Sequence, residues 1–155
     1  MTDYKVLVPF NLAVDDDRSL DVVTRLFLNK ENAVTTLFFA CNPVPDLDVR
    51  KNPYMERMAQ NLAYRRQLLR DQESSLEDVK NRLVERGFPH GRVKTLFRPL
   101  KKGVAQDIIF LVRDKGFHAV VLTRNPGNLA GFFTRSVSAR VAKNLSPEVQ
   151  LYFVN

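Results

Sequence analysis

The chain has 155 residues, of which 45% are hydrophobic, and a formal net charge of +7 at pH 7. This length and apolar content predict one globular domain over residues 1–155 and exclude a chain that is disordered throughout. No apolar run reaches the roughly 18 residues of a membrane-spanning helix, and the N-terminus lacks the pattern of a signal peptide, so we expect a cytoplasmic protein. One cysteine, Cys41, and two histidines, His90 and His118, offer few metal ligands, and we expect no metal site.

The positive charge is spread along the chain and does not form a recognisable nucleic-acid-binding pattern. Basic and acidic residues are interleaved over residues 56–86. The short clusters Arg65-Arg66 and Lys101-Lys102 lack the interleaved aromatic residues that stack on bases. We therefore expect a solvated basic surface, no dedicated nucleic-acid binding, and membrane association only through a partner.

The first part of the chain predicts a strand, a helix and a second strand. Residues 4–10, YKVLVPF, and 33–41, AVTTLFFAC, are apolar runs typical of strands that are covered on both faces. Residues 19–28 have apolar side chains at helical spacing, and the aspartates at 15–17 suit the positive end of that helix dipole. The same three aspartates are an alternative site for a hard cation, although they lack the alternation of a calcium loop.

The middle and end of the chain alternate between helix and strand. A proline-rich linker leads into a long helix at 54–86, and Gly87 ends this helix. A bend at Ser74-Ser75 is an alternative to a straight helix. The elements that follow are an edge-type strand at 92–98, a helix at 103–115 closed by Gly116, a strand at 118–123, a glycine-containing loop, a helix from about 134 to 145, and a strand at 149–154. Helices between every pair of strands predict an α/β fold, a doubly wound, Rossmann-like parallel sheet of five strands with helices on both faces.

In such a sheet, ligands bind beyond the carboxyl ends of the strands, where the strand order reverses. For the order 3-2-1-4-5 this crevice lies between strands 1 and 4, and it is bounded by Pro9, Phe10 and Asn11 on one side and by Thr123 and Arg124 on the other. A strand, a glycine-containing loop and a helix N-terminus together direct backbone N–H groups at an anion, usually a phosphate. The alternative is a plain connection between strand and helix.

Several segments carry a resemblance to a known family. They are VLVPFN at the start, the proline-rich linker before the long helix, GVAQDIIFLVRDKGFHAVVLTRN, RSVSARVAKN and the closing VQLYFV. With these segments, over essentially its whole length, the chain resembles a universal stress protein of the adenine-nucleotide α-hydrolase-like superfold. The resemblance implies a small cytoplasmic homodimer paired through the fifth strand, 149–154, and a crevice that holds ATP in many members.

The nucleotide-binding motif of that family is degenerate in this chain. Nucleotide-binding members carry Gly, two residues, Gly, nine residues, Gly and then Ser or Thr after the fourth strand. These positions fall here at Arg124, Gly127, Arg135 and Ser136, and seven residues instead of nine separate Gly127 from Arg135. The aspartate that contacts adenosine in the binders corresponds to Asn11.

These departures predict that ordinary ATP binding is lost. Arginine cannot replace a glycine that lets the backbone approach a phosphate without displacing the ligand or filling its place. Arg124 and Arg135, with the N–H groups near Ser136, instead suit another anion or a nucleotide in a shifted pose. The alternatives are exposed arginines, arginines paired with the aspartates at 15–17, and Ser136 as a helix N-cap. The candidate nucleotide- or anion-binding residues are Pro9, Phe10, Asn11, Cys41, Thr123, Arg124, Gly127, Arg135, Ser136, Val137 and Ser138.

Catalysis has little support in the sequence, and we name no catalytic residue. Cys41 belongs to an apolar strand, and neither histidine is near a serine in sequence. The leading hypothesis is a non-catalytic homodimer that acts through an unidentified protein partner in the stress response. The alternatives are a sensor that binds ATP or another phosphate-bearing ligand, a slow nucleotide hydrolase, and an interaction module of a membrane complex.

Overall fold

The computed structural model describes residues 2–10, 17–42, 53–123 and 135–154. The strands and helices are, in chain order, β1 (Tyr4–Pro9), α1 (Arg18–Phe27), β2 (Ala33–Cys41), α2 (Pro53–Glu85), β3 (Val93–Pro99), α3 (Val104–Lys115), β4 (Ala119–Thr123), α4 (Arg135–Leu145) and β5 (Gln150–Val154). A 3-10 turn, His90–Arg92, leads into β3. In the described ranges, no helix combines the length and the apolarity that crossing a membrane requires.

The five strands form one parallel sheet in the order β3-β2-β1-β4-β5. This confirms the predicted fold class and strand order. β1 is central, and Val6 pairs with Thr35 of β2 on one side and with Ala119 of β4 on the other. Strand order therefore reverses between β1 and β4, which places the topological switch point at the carboxyl ends of these two strands.

Alternate residues of β1 divide the core into two layers, as the two-residue period of a strand requires. Val6 and Val8 face the layer built by α1 and the second half of α2, whereas Leu7 faces the layer built by α3 and α4. All three side chains are fully buried. The near-continuous apolar run that predicted a strand covered on both faces is explained by these two helical layers.

Several element boundaries differ from the predicted ones by a single residue, and local backbone geometry explains three of them. β3 begins at Val93 because Arg92 belongs to the 3-10 turn, where its N–H donates to the Pro89 carbonyl. β5 begins one residue after Val149, whose N–H donates to the Leu145 carbonyl and closes α4. Gly103, with φ of 110°, lies at the N-cap of α3 and not within it.

The helix ends that involve glycine agree with the sequence prediction. Gly116 caps α3 in the left-handed conformation, with φ of 69°, and Gly87 turns the chain after α2 with φ of 113°. A side chain at either position would be strained because L-residues rarely adopt these angles. Helix α2 continues through Ser74 and Ser75, and the Ser75 hydroxyl donates to the Asp71 carbonyl at 2.9 Å.

Two ion pairs join α1 and its N-cap residue to the C-terminal end of α2 and the residue that follows it. Arg82 contacts the Asp17 carboxylate at 2.6 Å, and Arg86 pairs with Asp21 one helical turn further along. Asp17 lies at the N-cap of α1, as predicted for the acidic triplet, but its side chain bonds to Arg82 and makes no capping hydrogen bond. The other two aspartates, at 15 and 16, lie outside the described residues.

Candidate functional site

The carboxyl edge of the sheet brings together several of the predicted site residues. Pro9 ends β1, and Phe10 follows it as a buried side chain whose N–H donates to the Phe38 carbonyl at 2.8 Å. Thr123 ends the adjacent strand β4, and Cys41 ends β2 on the other side of β1. The parallel sheet therefore places Pro9, Phe10 and Thr123 at the switch point, with Cys41 one strand away.

A hydrogen bond between two buried hydroxyls joins this edge of the sheet to α1. The Ser19 hydroxyl bonds to the Thr123 hydroxyl, and the two residues are 2% and 7% exposed. Buried hydroxyls need a hydrogen-bond partner, and each of these two meets that need through the other. The second residue of α1 is thereby fixed to the end of β4.

Ser19 is not among the site residues that the sequence predicts. Its buried position agrees with the helical spacing of Leu20, Val23 and Phe27, which form the buried side of α1 with it. A serine on the apolar side of a helix was the available signal, because a buried hydroxyl implies a polar partner nearby. Which partner it finds depends on the tertiary structure.

The first turn of α4 contains the remaining described candidates. Arg135 is the first helical residue, Ser136 is exposed, Val137 is half-buried and Ser138 is buried. The Ser138 hydroxyl, in a residue that is 1% exposed, has no hydrogen-bond partner in the described part of the chain. Three candidates, Asn11, Arg124 and Gly127, lie outside the described residues, as does the side chain of Arg135, so their predicted roles stay predictions.

Comparisons with known proteins give matches in structure. No protein-family model matches the chain, and no curated protein matches it in sequence. The structure is similar to universal stress protein UspA from Lactobacillus plantarum, with a TM-score of 0.60, 13% identity and full coverage of both chains. It is also similar to a universal stress protein family member from Burkholderia pseudomallei, with a TM-score of 0.57, 16% identity, and coverage of 97% of this chain and 95% of the other.

A third similar structure is a universal stress protein family protein from Arabidopsis thaliana with AMP bound. It has a TM-score of 0.55 and 16% identity over 97% of this chain and 92% of the other. This chain has the universal stress protein fold. The resemblance noted in the sequence is therefore confirmed at the level of the fold.

Cys41, at the carboxyl edge of the sheet, is a poor nucleophile. Burial raises the pKa of the Cys41 thiol; a hydrogen bond with its own backbone opposes the rise, and the Glu73 carboxylate adds to it. The thiolate is the reactive form of cysteine, so a raised pKa keeps Cys41 in its unreactive, protonated form at neutral pH. Cys41 is a side chain of the core and not an activated group.

Both histidines of this universal stress protein fold lie at the amino edge, away from the switch point. His118 precedes β4, and its Nδ1 accepts a hydrogen bond from the Lys5 N–H at 3.0 Å while its ring stacks on Tyr4. The five residues of β4 separate His118 from Thr123 by about 16 Å. His90 is in the turn before β3, at the same amino edge. The described ranges contain no group of three His, Cys, Asp or Glu residues arranged to hold a metal ion.

Proposed function

We propose that this chain forms a cytoplasmic, non-catalytic homodimer of the universal stress protein type, which does not bind ATP in the usual way. It acts in the stress response by contacting other proteins. The observation that carries this proposal is the difference between the two outer strands of the sheet, β3 and β5.

The edge strand β5 has the chemistry of a pairing surface. β3, at the opposite edge, carries Lys94, Arg98 and Pro99, which are residue types that protect an edge from pairing with another chain. β5 reads QLYFV and carries no charged residue. An uncharged edge strand rich in apolar side chains invites aggregation unless another strand covers it. Two-fold pairing of β5 with its copy supplies that cover.

The hydrogen-bond register of β5 supports this pairing through the backbone of Leu151. The Gln150 N–H donates to the carbonyl of His118, the residue that precedes β4. In a parallel sheet, successive residues direct their backbone groups to alternate sides, so Tyr152 and Val154 also face β4. The N–H group of Leu151 therefore points to the open side of β5, where a partner strand would accept it.

The absence of a histidine from the carboxyl edge supports a non-catalytic role. Serine and cysteine nucleophiles need an adjacent base within hydrogen-bond reach. His90 and His118, the two histidines of the chain, both lie at the amino edge, and the Ser19 hydroxyl is bonded to Thr123. The raised pKa of Cys41 keeps this thiol in its unreactive, protonated form at neutral pH.

Loss of ordinary ATP binding is supported by the position of Arg135. It is the first residue of α4, where the family resemblance places the third glycine of the phosphate-binding motif. A glycine at this position would let the backbone approach a phosphate closely, and the sequence has an arginine there instead.

The alternative is a sensor that binds ATP or another phosphate-bearing ligand in the crevice between β1 and β4. Two observations favour it. The Arabidopsis protein with the same fold has AMP bound. The buried Ser138 hydroxyl in the first turn of α4 has no hydrogen-bond partner in the described ranges, and a bound anion would supply one.

Sedimentation equilibrium with two variants of Leu151 tests the proposal. Leu151→Pro removes an outward N–H while leaving the β4–β5 hydrogen bonds in place, and Leu151→Ala shortens the side chain but keeps that N–H. We expect the native chain and Leu151→Ala to sediment at twice the chain mass of 17.8 kDa, and Leu151→Pro to sediment as a folded monomer. A monomeric native chain, or a dimeric Leu151→Pro variant, would contradict pairing through β5.

A further inference from the structure

Helix α2 is longer than the sheet that it covers. The Thr95 hydroxyl donates to the Glu77 carboxylate at 2.8 Å, which places Glu77 beside the third residue of β3. From there, β3 extends about 13 Å to its carboxyl end, a length that about nine helical residues span. Because α2 runs opposite to β3, residues before about Leu68 extend past the carboxyl edge of the sheet. We call residues 57–70, which comprise this extension and the few residues of α2 at the carboxyl edge itself, the α2 overhang.

Charge is distributed unevenly between the two halves of α2. The α2 overhang, RMAQNLAYRRQLLR, contains four arginines and no acidic residue, whereas residues 71–85 contain five acidic residues and two basic ones. Arg57 and Arg65 are exposed, and neither forms an ion pair within the described ranges. The overhang is therefore a positively charged projection from the carboxyl edge of the sheet.

Two large apolar side chains are exposed on the same surface. Tyr64 is 72% exposed and Leu68, one helical turn later, is 44% exposed. At 100° per residue, Arg57 falls on the same stripe as these two, and Leu62, which is 6% exposed, lies on the opposite side of the helix. Leu62 marks the covered side of the overhang, and Tyr64 and Leu68 mark its open side.

We propose that the open side of the α2 overhang docks an acidic segment of a protein partner. The apolar contact is made by Tyr64 and Leu68, and the carboxylates of the segment contact Arg57 and Arg65. This proposal rests on the proposed function, because it names the surface through which that function reaches a partner. An aromatic residue beside arginines is the composition typical of the residues that dominate binding energy at protein interfaces.

The arrangement of the arginines favours a protein over a membrane or a nucleic acid. A helix that lies on a lipid surface separates an apolar side from a cationic side, whereas Arg57 lies on the same stripe as Tyr64 and Leu68. A surface for single-stranded nucleic acid stacks successive bases on several aromatic side chains, and the described side chains of the overhang include one, Tyr64.

The test measures the binding of defined probe peptides by fluorescence anisotropy, at several salt concentrations. The acidic probe has three repeats of EELLE; a second probe replaces Leu with Ser, and a third replaces Glu with Lys. We expect the acidic, Leu-containing probe to bind best. Arg57→Glu with Arg65→Glu should weaken its binding about tenfold and lower the dependence on salt, and Tyr64→Ser with Leu68→Ser should weaken it about tenfold without changing that dependence.

The matched control is Lys101→Glu with Lys102→Glu, which makes the same change in net charge at another exposed site. It should leave binding of the acidic probe nearly unchanged; an equal loss would show that net charge alone attracts the probe and would overturn the proposal. Absence of binding, or preferential binding to phosphatidylserine vesicles or to poly(U), would also overturn it. Sedimentation of the same samples separates the two proposals. A dimeric protein that does not bind the acidic probe contradicts only the docking surface, whereas a monomeric protein contradicts the proposed function.

Discussion

Replacing Ser19 with alanine leaves the Thr123 hydroxyl buried without its hydrogen-bond partner. Thr123→Val, which keeps the shape of the side chain, has the reciprocal effect on the Ser19 hydroxyl. Both residues are almost fully buried, so water does not replace the lost partner. Each single substitution should therefore lower the free energy of unfolding by about 1–3 kcal/mol.

The double variant separates the hydrogen bond from other consequences of the substitutions. Ser19→Ala combined with Thr123→Val removes both hydroxyls together, so no polar group is left unsatisfied, and the net cost should be close to zero. The sum of the two single effects should exceed the effect of the double variant by at least about 2 kcal/mol. For a chain of this size, each kcal/mol corresponds to about 2–4 °C in Tm.

Urea unfolding followed by circular dichroism measures the four proteins of this cycle. Protein concentration must be held constant, because dimerisation makes the apparent stability depend on it. If the effects of the single substitutions simply add in the double variant, the two hydroxyls do not share a hydrogen bond, and α1 is not fixed to β4 in the way described.

Three further substitutions have clear expected outcomes. Thr35 is fully buried in β2, and its hydroxyl has no hydrogen-bond partner within the described ranges. Thr35→Val should therefore raise the free energy of unfolding, measured with urea, by about 1 kcal/mol. A loss of stability would show that the hydroxyl has a hydrogen-bond partner. His118→Ala should lower stability by about 1 kcal/mol because Lys5 loses a hydrogen-bond acceptor and Tyr4 a stacked ring, and His118→Asn, which retains an acceptor, should recover part of this loss in thermal unfolding. Because burial raises the pKa of Cys41, the unfolded thiol ionises first; stability should fall as pH rises above about 8.5, and Cys41→Ala should abolish that dependence in unfolding experiments.

Much of the fold was accessible from the sequence because the relevant signals are local. The apolar runs at 4–10 and 33–41 correspond to β1 and β2, and Gly116 ends α3 where the sequence placed its cap. The alternation of strands and helices then restricted the topology, because parallel strands require crossover helices. Boundaries such as Val149 were misplaced because one backbone hydrogen bond, invisible in the sequence, decides whether a residue ends a helix or begins a strand.

Contacts between distant residues were not accessible in the same way. The hydroxyl pair joins Ser19 to Thr123, 104 positions apart, and the ion pair between Asp17 and Arg82 spans 65 positions. The sequence shows that each residue is polar, but only the packing of α1 against the sheet and α2 determines its partner. The uneven charge of α2 was likewise hidden in a segment that appears mixed over 56–86, because the excess of arginine is confined to its first half.

The measurement that most directly tests the central claim is calorimetric titration of the purified, ligand-free protein with ATP and magnesium. We predict no heat of binding, and mass spectrometry of the protein as purified should detect no bound nucleotide. Micromolar binding, or ATP that copurifies with the chain, would contradict the loss of ordinary ATP binding and would favour the alternative of a nucleotide sensor.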